Sequence, residues 1–464
     1  MWGPMPRDFK ARWWGLVVLG LALTAIGQPQ ESKPGAPSPV IKVEVKQVLV
    51  PVIVTDRKGH YVTGLKASDF QVFEDGVLQT LAAFNTQEEG AASLLEPEPA
   101  TPGQRPAASS PGPPAETNLS VRQTYFVCLD TLNSAFENFA QVRDALHKLF
   151  KQERSADSQY ALLALGRYPV IVQNLTRNAA SMLEVLDGKE LSKAIQLSES
   201  MNLVAQEADL GRMLAGYCER CPCAGGSSPT TRTSGGSAQV CSGQWGKIEM
   251  WASAAAFERY NLARDFTSQL RSVVEQLAKQ PGKRHLIFVS DGFNVRPGRD
   301  LFGLMAIYAN DPGELLRNPV ESLESEIQTI IRLATAHNVT FYTLDSKGLY
   351  AVVGGGYDAS GEYQFTRGAG VILPQVQQQK ETNALDTQAP LGELAEATGG
   401  VFFHNSNDLF KGMRQSLADG REYYLLAYVP TNPAADGKFR EIKVQVKSGS
   451  VLVRAKRGYW AATN

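Results

Sequence analysis

The stretch Pro281-Gly282-Lys283-Arg284-His285-Leu286-Ile287-Phe288-Val289-Ser290-Asp291-Gly292 combines a helix stop, a short apolar run and an acidic residue where the run ends. Upstream of it, Phe266, Leu270, Val273, Val274 and Leu277 recur at helical spacing, so Arg264 to Lys279 reads as an amphipathic helix that Pro281-Gly282 terminates. His285 to Ser290 then reads as a buried strand running into Asp291-Gly292. Downstream, Glu321 to His337 reads as a helix leading to the strand Val339 to Leu344. Towards the N-terminus the order repeats: Thr124 to Leu129 is an apolar strand ending in Asp130, and Phe139, Val142, Leu146, Leu149 and Phe150 mark a helix after it. Tyr160 to Leu165 and Val170 to Val172 are two more strands around a turn at Gly166-Arg167-Tyr168-Pro169. Strands alternating with helices predict an α/β domain with a doubly wound, mostly parallel sheet covered on both faces.

Three inserts interrupt this pattern, near residues 206–246, 293–319 and 346–386, and they read as long loops. The third holds Gly354-Gly355-Gly356 and the Gln375 to Gln379 tract and reads as the most mobile. On either side of the α/β region (121–420) lie β-rich segments. In the N-terminal unit (41–87), Val48, Val50, Val52 and Val54 fall on one face of a strand, and turns follow at Arg57-Lys58-Gly59-His60 and Glu74-Asp75-Gly76. The C-terminal unit (421–464) has Tyr423 to Val429, then Arg440 to Lys447 and Val451 to Lys456, which Ser448-Gly449-Ser450 would join as a hairpin. Lys443, Lys447, Arg454 and Lys456 are assigned to its solvated outer face. The two flanking units are expected to form sandwich-like segments. Residues 88–120 are dominated by Pro, Ala, Gly, Ser and Glu and read as a disordered linker.

The remaining 28–40 is a Pro-rich spacer, and 1–27 has the layout of a cleavable signal peptide: Arg7, Lys10 and Arg12, an apolar run from Trp13 to Ile26, and small residues at Ala25 and Gly27. An uncleaved anchor is the alternative, but the run falls short of the roughly 20 residues that cross a bilayer. Export to the periplasm or beyond is therefore expected, with no stable membrane span after cleavage. Four of the five cysteines cluster as Cys218, Cys221, Cys223 and Cys241, which outside the cytosol reads as two disulfides of open connectivity, with a four-thiolate zinc site as the rival. Cys128, inside an apolar run, reads as a small buried hydrophobe. With 46 Lys plus Arg against 47 Asp plus Glu, the net charge of -1 provides no field for nucleic acid.

In an open parallel sheet, ligands bind where side chains converge at the carboxyl ends of the strands. Asp130, Asp291 and Asp345 each close a strand there, and carboxylates with nearby hydroxyls are the ligands that a hard cation such as Mg²⁺ takes. The chain resembles the von Willebrand factor A domain, and within it the bacterial VWFA-related secreted proteins best represented in acidobacteria. The resemblance rests on Val48 to Asp56 with Gly59, on Asp69 to Gly76, on Phe126-Val127-Cys128-Leu129-Asp130-Thr131-Leu132-Asn133-Ser134, and on Pro281 to Gly292. It continues in Tyr423 to Tyr428 and Arg457-Gly458-Tyr459. It implies a Rossmann-like fold and a metal-ion-dependent adhesion site for Mg²⁺ or Mn²⁺, completed by a carboxylate from a protein or peptide partner. Carried over by position, Asp130, Ser134 and Asp291 are metal ligands, Leu132 stands where a serine belongs, and Thr267 is assigned the threonine role, with Thr231 and Thr233 as rivals. Asp130 and Asp291 as plain turn and helix caps are the alternative, and Asp345 reads as a plain strand-end carboxylate.

The sequence has no Gly-x-Ser-x-Gly elbow, His-Glu-x-x-His pair or phosphate loop, and its five histidines are scattered over separate elements. The expectation is a non-enzymatic, exported protein-binding or adhesion module. A structural or assembly protein of the cell envelope is the rival, and a hydrolase whose site assembles only in three dimensions is a third reading.

Overall fold

In the computed structural model, which describes residues 47–86, 123–196, 200–223, 236–349, 373–447 and 449–463, the alternating run Val48–Asp56 forms strand β1. Its Val50, Val52 and Val54 are buried, and so is Ile53 on the opposite face, because the sheet containing β1 is covered on both sides. Strands β2 (Phe70–Glu74) and β3 (Val77–Gln79) form a hairpin with Asp75 and Gly76 at φ 47° and 79°. Two successive positive φ values are what a two-residue turn needs to match strand twist, which is why Asp-Gly occupies it. Strand β4 (Leu81–Thr86) follows.

The central sheet is built from β5 (Gln123–Asp130), β6 (Ser158–Leu165), β7 (Val170–Thr176), β8 (Lys283–Ser290), β9 (Val339–Asp345) and β10 (Phe402–Phe403). Its order is β10-β9-β8-β5-β6-β7, parallel except for the antiparallel edge strand β7. All eight residues of β5 are buried, as expected of a central strand with both faces covered. Helices α1 (Phe139–Gln152), α2 (Ala179–Leu186) and α3 (Lys189–Gln196) are followed by α4 (Ser200–Cys218), α5 (Gly236–Ala278), α6 (Arg299–Ala309), α7 (Glu324–Ala336), α8 (Leu373–Thr398) and α9 (Leu409–Arg421). One face of the sheet packs Phe126, Leu286, Phe288 and Phe341 against α5, α7 and α8. The other packs Val127, Leu162, Ile287 and Leu344 against α1, α2 and α9. The molecule is thus mixed α/β around a six-stranded, mostly parallel sheet.

Strands β1 to β4 share their sheets with the last four strands of the described chain. Strands β11 (Tyr424–Tyr428), β12 (Phe439–Val446), β13 (Val451–Ala455) and β14 (Gly458–Trp460) complete two four-stranded antiparallel sheets, ordered β13-β1-β11-β4 and β14-β12-β2-β3. Val50, Val52, Phe70, Val72, Tyr424, Leu426, Tyr428 and Ile442 form the core between them. The expected hairpin of the last strands is not formed: β12 pairs with β2 and β13 with β1, in different sheets. The basic residues divide accordingly. Lys443 and Lys447 are exposed, but Arg454 donates to both oxygens of buried Asp419 at 2.8 Å, and buried Lys456 donates to Asn338 Oδ1 at 2.8 Å. Their assignment to a wet outer face is overturned for these two, because β13 lies against the α/β domain.

The inserts also depart from the loop reading. The first holds most of α4 and the start of α5, the second holds α6, and the third ends in α8, so the Gln375 to Gln379 tract is helical. Leu210, Leu214, Ile248, Ala252, Leu301, Phe302 and Met305 make a separate apolar cluster among them, with Val376 packed against it. Disulfide Cys218–Cys223 closes the turn at the end of α4, Cys221–Cys241 joins that turn to the start of α5, and together they use all four thiols that the zinc alternative required. Cys128 is free and buried. The signal peptide, the spacer, the linker, Thr231, Thr233 and Gly354-Gly355-Gly356 lie outside the described residues. Among the described residues no helix is long and apolar enough to cross a membrane.

Candidate functional site

Because β9, β8 and β5 are adjacent and parallel, Asp345, Asp291 and Asp130 emerge on one rim. Asp130 is wholly buried. Its Oδ1 accepts from the backbone N–H of Leu132 at 3.0 Å and of Asn133 at 2.9 Å, a side-chain-to-backbone turn that reverses the chain at once after β5. The Asn133 amide adds contacts of 3.1 Å to Oδ1 and 3.0 Å to Oδ2, and Ser290 Oγ donates to Oδ2 at 2.6 Å. Burial pushes the Asp130 carboxyl up to about 7, against the pull of Ser290 and Asn133.

Asp291 instead holds the neighbouring loops. Its backbone N–H donates to Ser134 Oγ at 3.0 Å, its Oδ2 accepts from Ala135 N at 2.9 Å and Asn138 Nδ2 at 2.7 Å, and its Oδ1 accepts from Ser346 Oγ at 2.5 Å. Gly292 follows at φ +92°, where a Cβ would stand 2.6 Å from the Thr387 carbonyl oxygen. That same oxygen accepts from Phe293 N, so α8 is held tightly over this strand end. Asp345 accepts from Lys347 N at 3.0 Å and from Gln388 Nε2 at 2.6 Å, and burial raises its carboxyl above the ordinary range.

Of the four residues assigned to metal binding, Asp130, Ser134 and Asp291 converge, while the Thr267 hydroxyl donates to the Arg264 carbonyl of its own helix at 2.9 Å. A divalent cation requires lone pairs turned to one point about 2.1 Å away. Here all four carboxylate oxygens of Asp130 and Asp291 face N–H or O–H donors, and Leu132 is packed in the core. As folded, these residues do not fit the cation that the resemblance implies. Among the described residues, no three His, Cys, Asp or Glu side chains gather as a metal-holding group elsewhere.

Sequence reasoning passed over Asn133, Asn138, Ser290, Ser346 and Gln388. Asn133 and Ser290 stand inside the quoted motifs, where a side-chain donor beside a strand-end aspartate was the available signal. Asn138, Ser346 and Gln388 carry no such mark. The histidines stay apart: His285 is buried with Nε2 2.9 Å from Gln123 Oε1, His60 pairs with Asp56, His147 with Asp187, and His404 stacks on Phe402.

The rim also exposes apolar side chains. Phe136, between Ala135 and Asn138 that both donate to Asp291, is 55% exposed; Tyr168, in the loop leaving β6, is 76% exposed; and Leu385, just before the Thr387 contact, is 67% exposed.

No family model matches the chain, and no curated protein matches its sequence. Among solved structures, an aerotolerance-related membrane protein from Bacteroides fragilis and BatB from Bacteroides thetaiotaomicron each align with 64% of this chain and 98% of their own, at 10% identity and a TM-score of 0.25. Proximal thread matrix protein 1 from the mussel byssus aligns with 67% of this chain and 49% of its own, again at 10% identity and 0.25. Likenesses at this level leave the function to be argued from the chain itself.

Proposed function

We propose that the chain is an exported, non-enzymatic protein-binding module in which a von Willebrand A-like, doubly wound domain offers the carboxyl rim of its sheet to a protein partner. The observation that carries this reading is Phe136. An aromatic ring more than half exposed, on a loop whose flanking Ala135 and Asn138 are both fastened to Asp291, is a contact residue held in place before any partner arrives. Tyr168 and Leu385 extend the apolar character of the rim, and Tyr is among the residues enriched at binding hot spots. The cation-bridged contact with an acidic partner group finds less support, since the two carboxylates are buried and engaged. The two cysteine pairs fit an oxidising compartment.

Site-specific photocrosslinking in the producing cell tests the proposal. A crosslinking residue in place of Phe136 or Tyr168 is expected to give a discrete protein adduct, and one in place of Val77, exposed on the sandwich edge, is not. No adduct at either rim position would count against the rim as a docking surface. A second reading, an envelope assembly protein in which the α/β domain scaffolds the sandwich, is favoured by the interleaving of β1 to β4 with β11 to β14 in two sheets. Adducts confined to Val77 would favour it.

A further inference from the structure

A divalent cation at the carboxyl rim of a parallel sheet ties side chains from several loops to one point by charge. In this chain another set of interactions already joins those loops. Ser290 Oγ links β8 to Asp130, while Ser134, Ala135 and Asn138 link the loop after β5 to Asp291. Ser346 then brings in the end of β9 twice, through its hydroxyl to Asp291 Oδ1 and through its N–H to the Ser290 carbonyl at 3.2 Å. Gln141 of α1 closes the circuit by donating to the Ser346 carbonyl.

We infer that Asn133, Asn138, Ser290 and Ser346 form a hydrogen-bond clasp that does the work of a cation at this rim, so that the three strand-end loops are held in register without metal. The physical basis is the sign of what faces each carboxylate. A cation ligand must present bare lone pairs, whereas every oxygen of Asp130 and Asp291 faces the positive end of an N–H or O–H bond. Of these eight contacts three come from backbone N–H groups, three from the side-chain amides of Asn133 and Asn138, and two from the hydroxyls of Ser290 and Ser346. The clasp explains Leu132 as well: with no ion to coordinate, the position is free to join the core, where it packs with Phe126, Cys128 and Leu165. The inference goes beyond the proposed function and does not depend on which partner docks.

The test is thermal melting and calorimetric titration of the full chain with MgCl2 and MnCl2, each against an EDTA control. The expected result is the same melting temperature in all media and no binding heat; a rise in melting temperature with either metal overturns the clasp. Two variants make the outcome specific. Leu132→Ser restores the missing hydroxyl, and its melting temperature is expected to stay equal with and without Mg²⁺ even though the variant is less stable overall. A Mg²⁺-dependent rise in it would show that the leucine alone had kept the ion out. Asn138→Ala is expected to melt below the parent by the same margin in EDTA and in Mg²⁺; melting together with the parent would show that its amide fastens nothing. The metal titrations do not bear on whether Phe136 crosslinks to a partner, so the two proposals fail separately.

Discussion

Asp130 and Asp291 are the same residue type at the carboxyl ends of adjacent strands, yet their surroundings give them different work. Asp130 turns its own loop and accepts from Ser290, whereas Asp291 accepts from three groups outside its own strand. Burial has raised the Asp130 carboxyl from 3.8 to about 7, and this has a sign that can be measured. In the unfolded chain the group ionises near its ordinary value, so between about pH 4 and pH 7 the folded state binds the proton more strongly than the unfolded state does. Its contribution to stability is therefore full below about pH 4 and declines as the pH rises towards 7. Asp345, raised in the same direction, adds to the decline. Urea midpoints measured across this range should fall less steeply with pH in Asp130→Asn than in the parent, and equal slopes would remove Asp130 as a source of the decline. That Asp130 and Asp291 end strands was legible in the sequence. That hydrogen-bond donors would surround them was not, because Asn138 and Ser346 reach Asp291 from separate elements.

The helix α5 shows how packing overrides local signals. Its first turns carry Gly236, Gly243 and Gly246 with Ser237 and Ser242, a composition that reads as loop and that costs up to about 1 kcal/mol for each interior glycine relative to alanine. The structure nevertheless continues the helix for 43 residues, about 65 Å at 1.5 Å per residue. Trp245 and Trp251 pack against the apolar cluster shared with α4 and α6, Trp245 Nε1 donates to buried Glu314, and Cys241 is tied to Cys221. Replacing both Cys221 and Cys241 by Ser should therefore cost about 2–4 kcal/mol, the usual range for a link of this loop length. Hydrogen exchange should report the loss first in the early turns of α5; unchanged protection there would show that packing alone holds them. The last strands make a related point. Arg440 to Lys447 and Val451 to Lys456 alternate well enough to pair with each other, but β1 and β2 lie in facing sheets and each takes one of them. Period-two alternation specifies which side of a strand is buried and says nothing about its neighbour.

At the scale of the molecule, the N-terminal strands depend on residues nearly 400 positions away, since β1 is paired on both sides by β11 and β13 and β2 takes β12 on the side away from β3. Truncation after Gly420 would leave β1 with no strand partner, and Arg454 and Lys456 would no longer reach Asp419 and Asn338. Val48–Asp56 is then expected to lose its exchange protection, and a truncated chain that kept it would contradict the interleaved sandwich. What the sequence determined by itself was local in origin: alternating apolar runs and helical repeats punctuated by Gly and Pro, aspartates at strand ends, and cysteines close enough to pair. These follow from interactions within a few residues, so a single window of sequence contains their cause. The partner of each strand, the helical character of the inserts, the pairing of Arg454 with Asp419 and the burial of Lys456, and the ring of donors on Asp130 and Asp291 were decided only by tertiary structure. Each depends on which distant group arrives to complete a hydrogen bond or cover an apolar face, and no local pattern encodes that arrival.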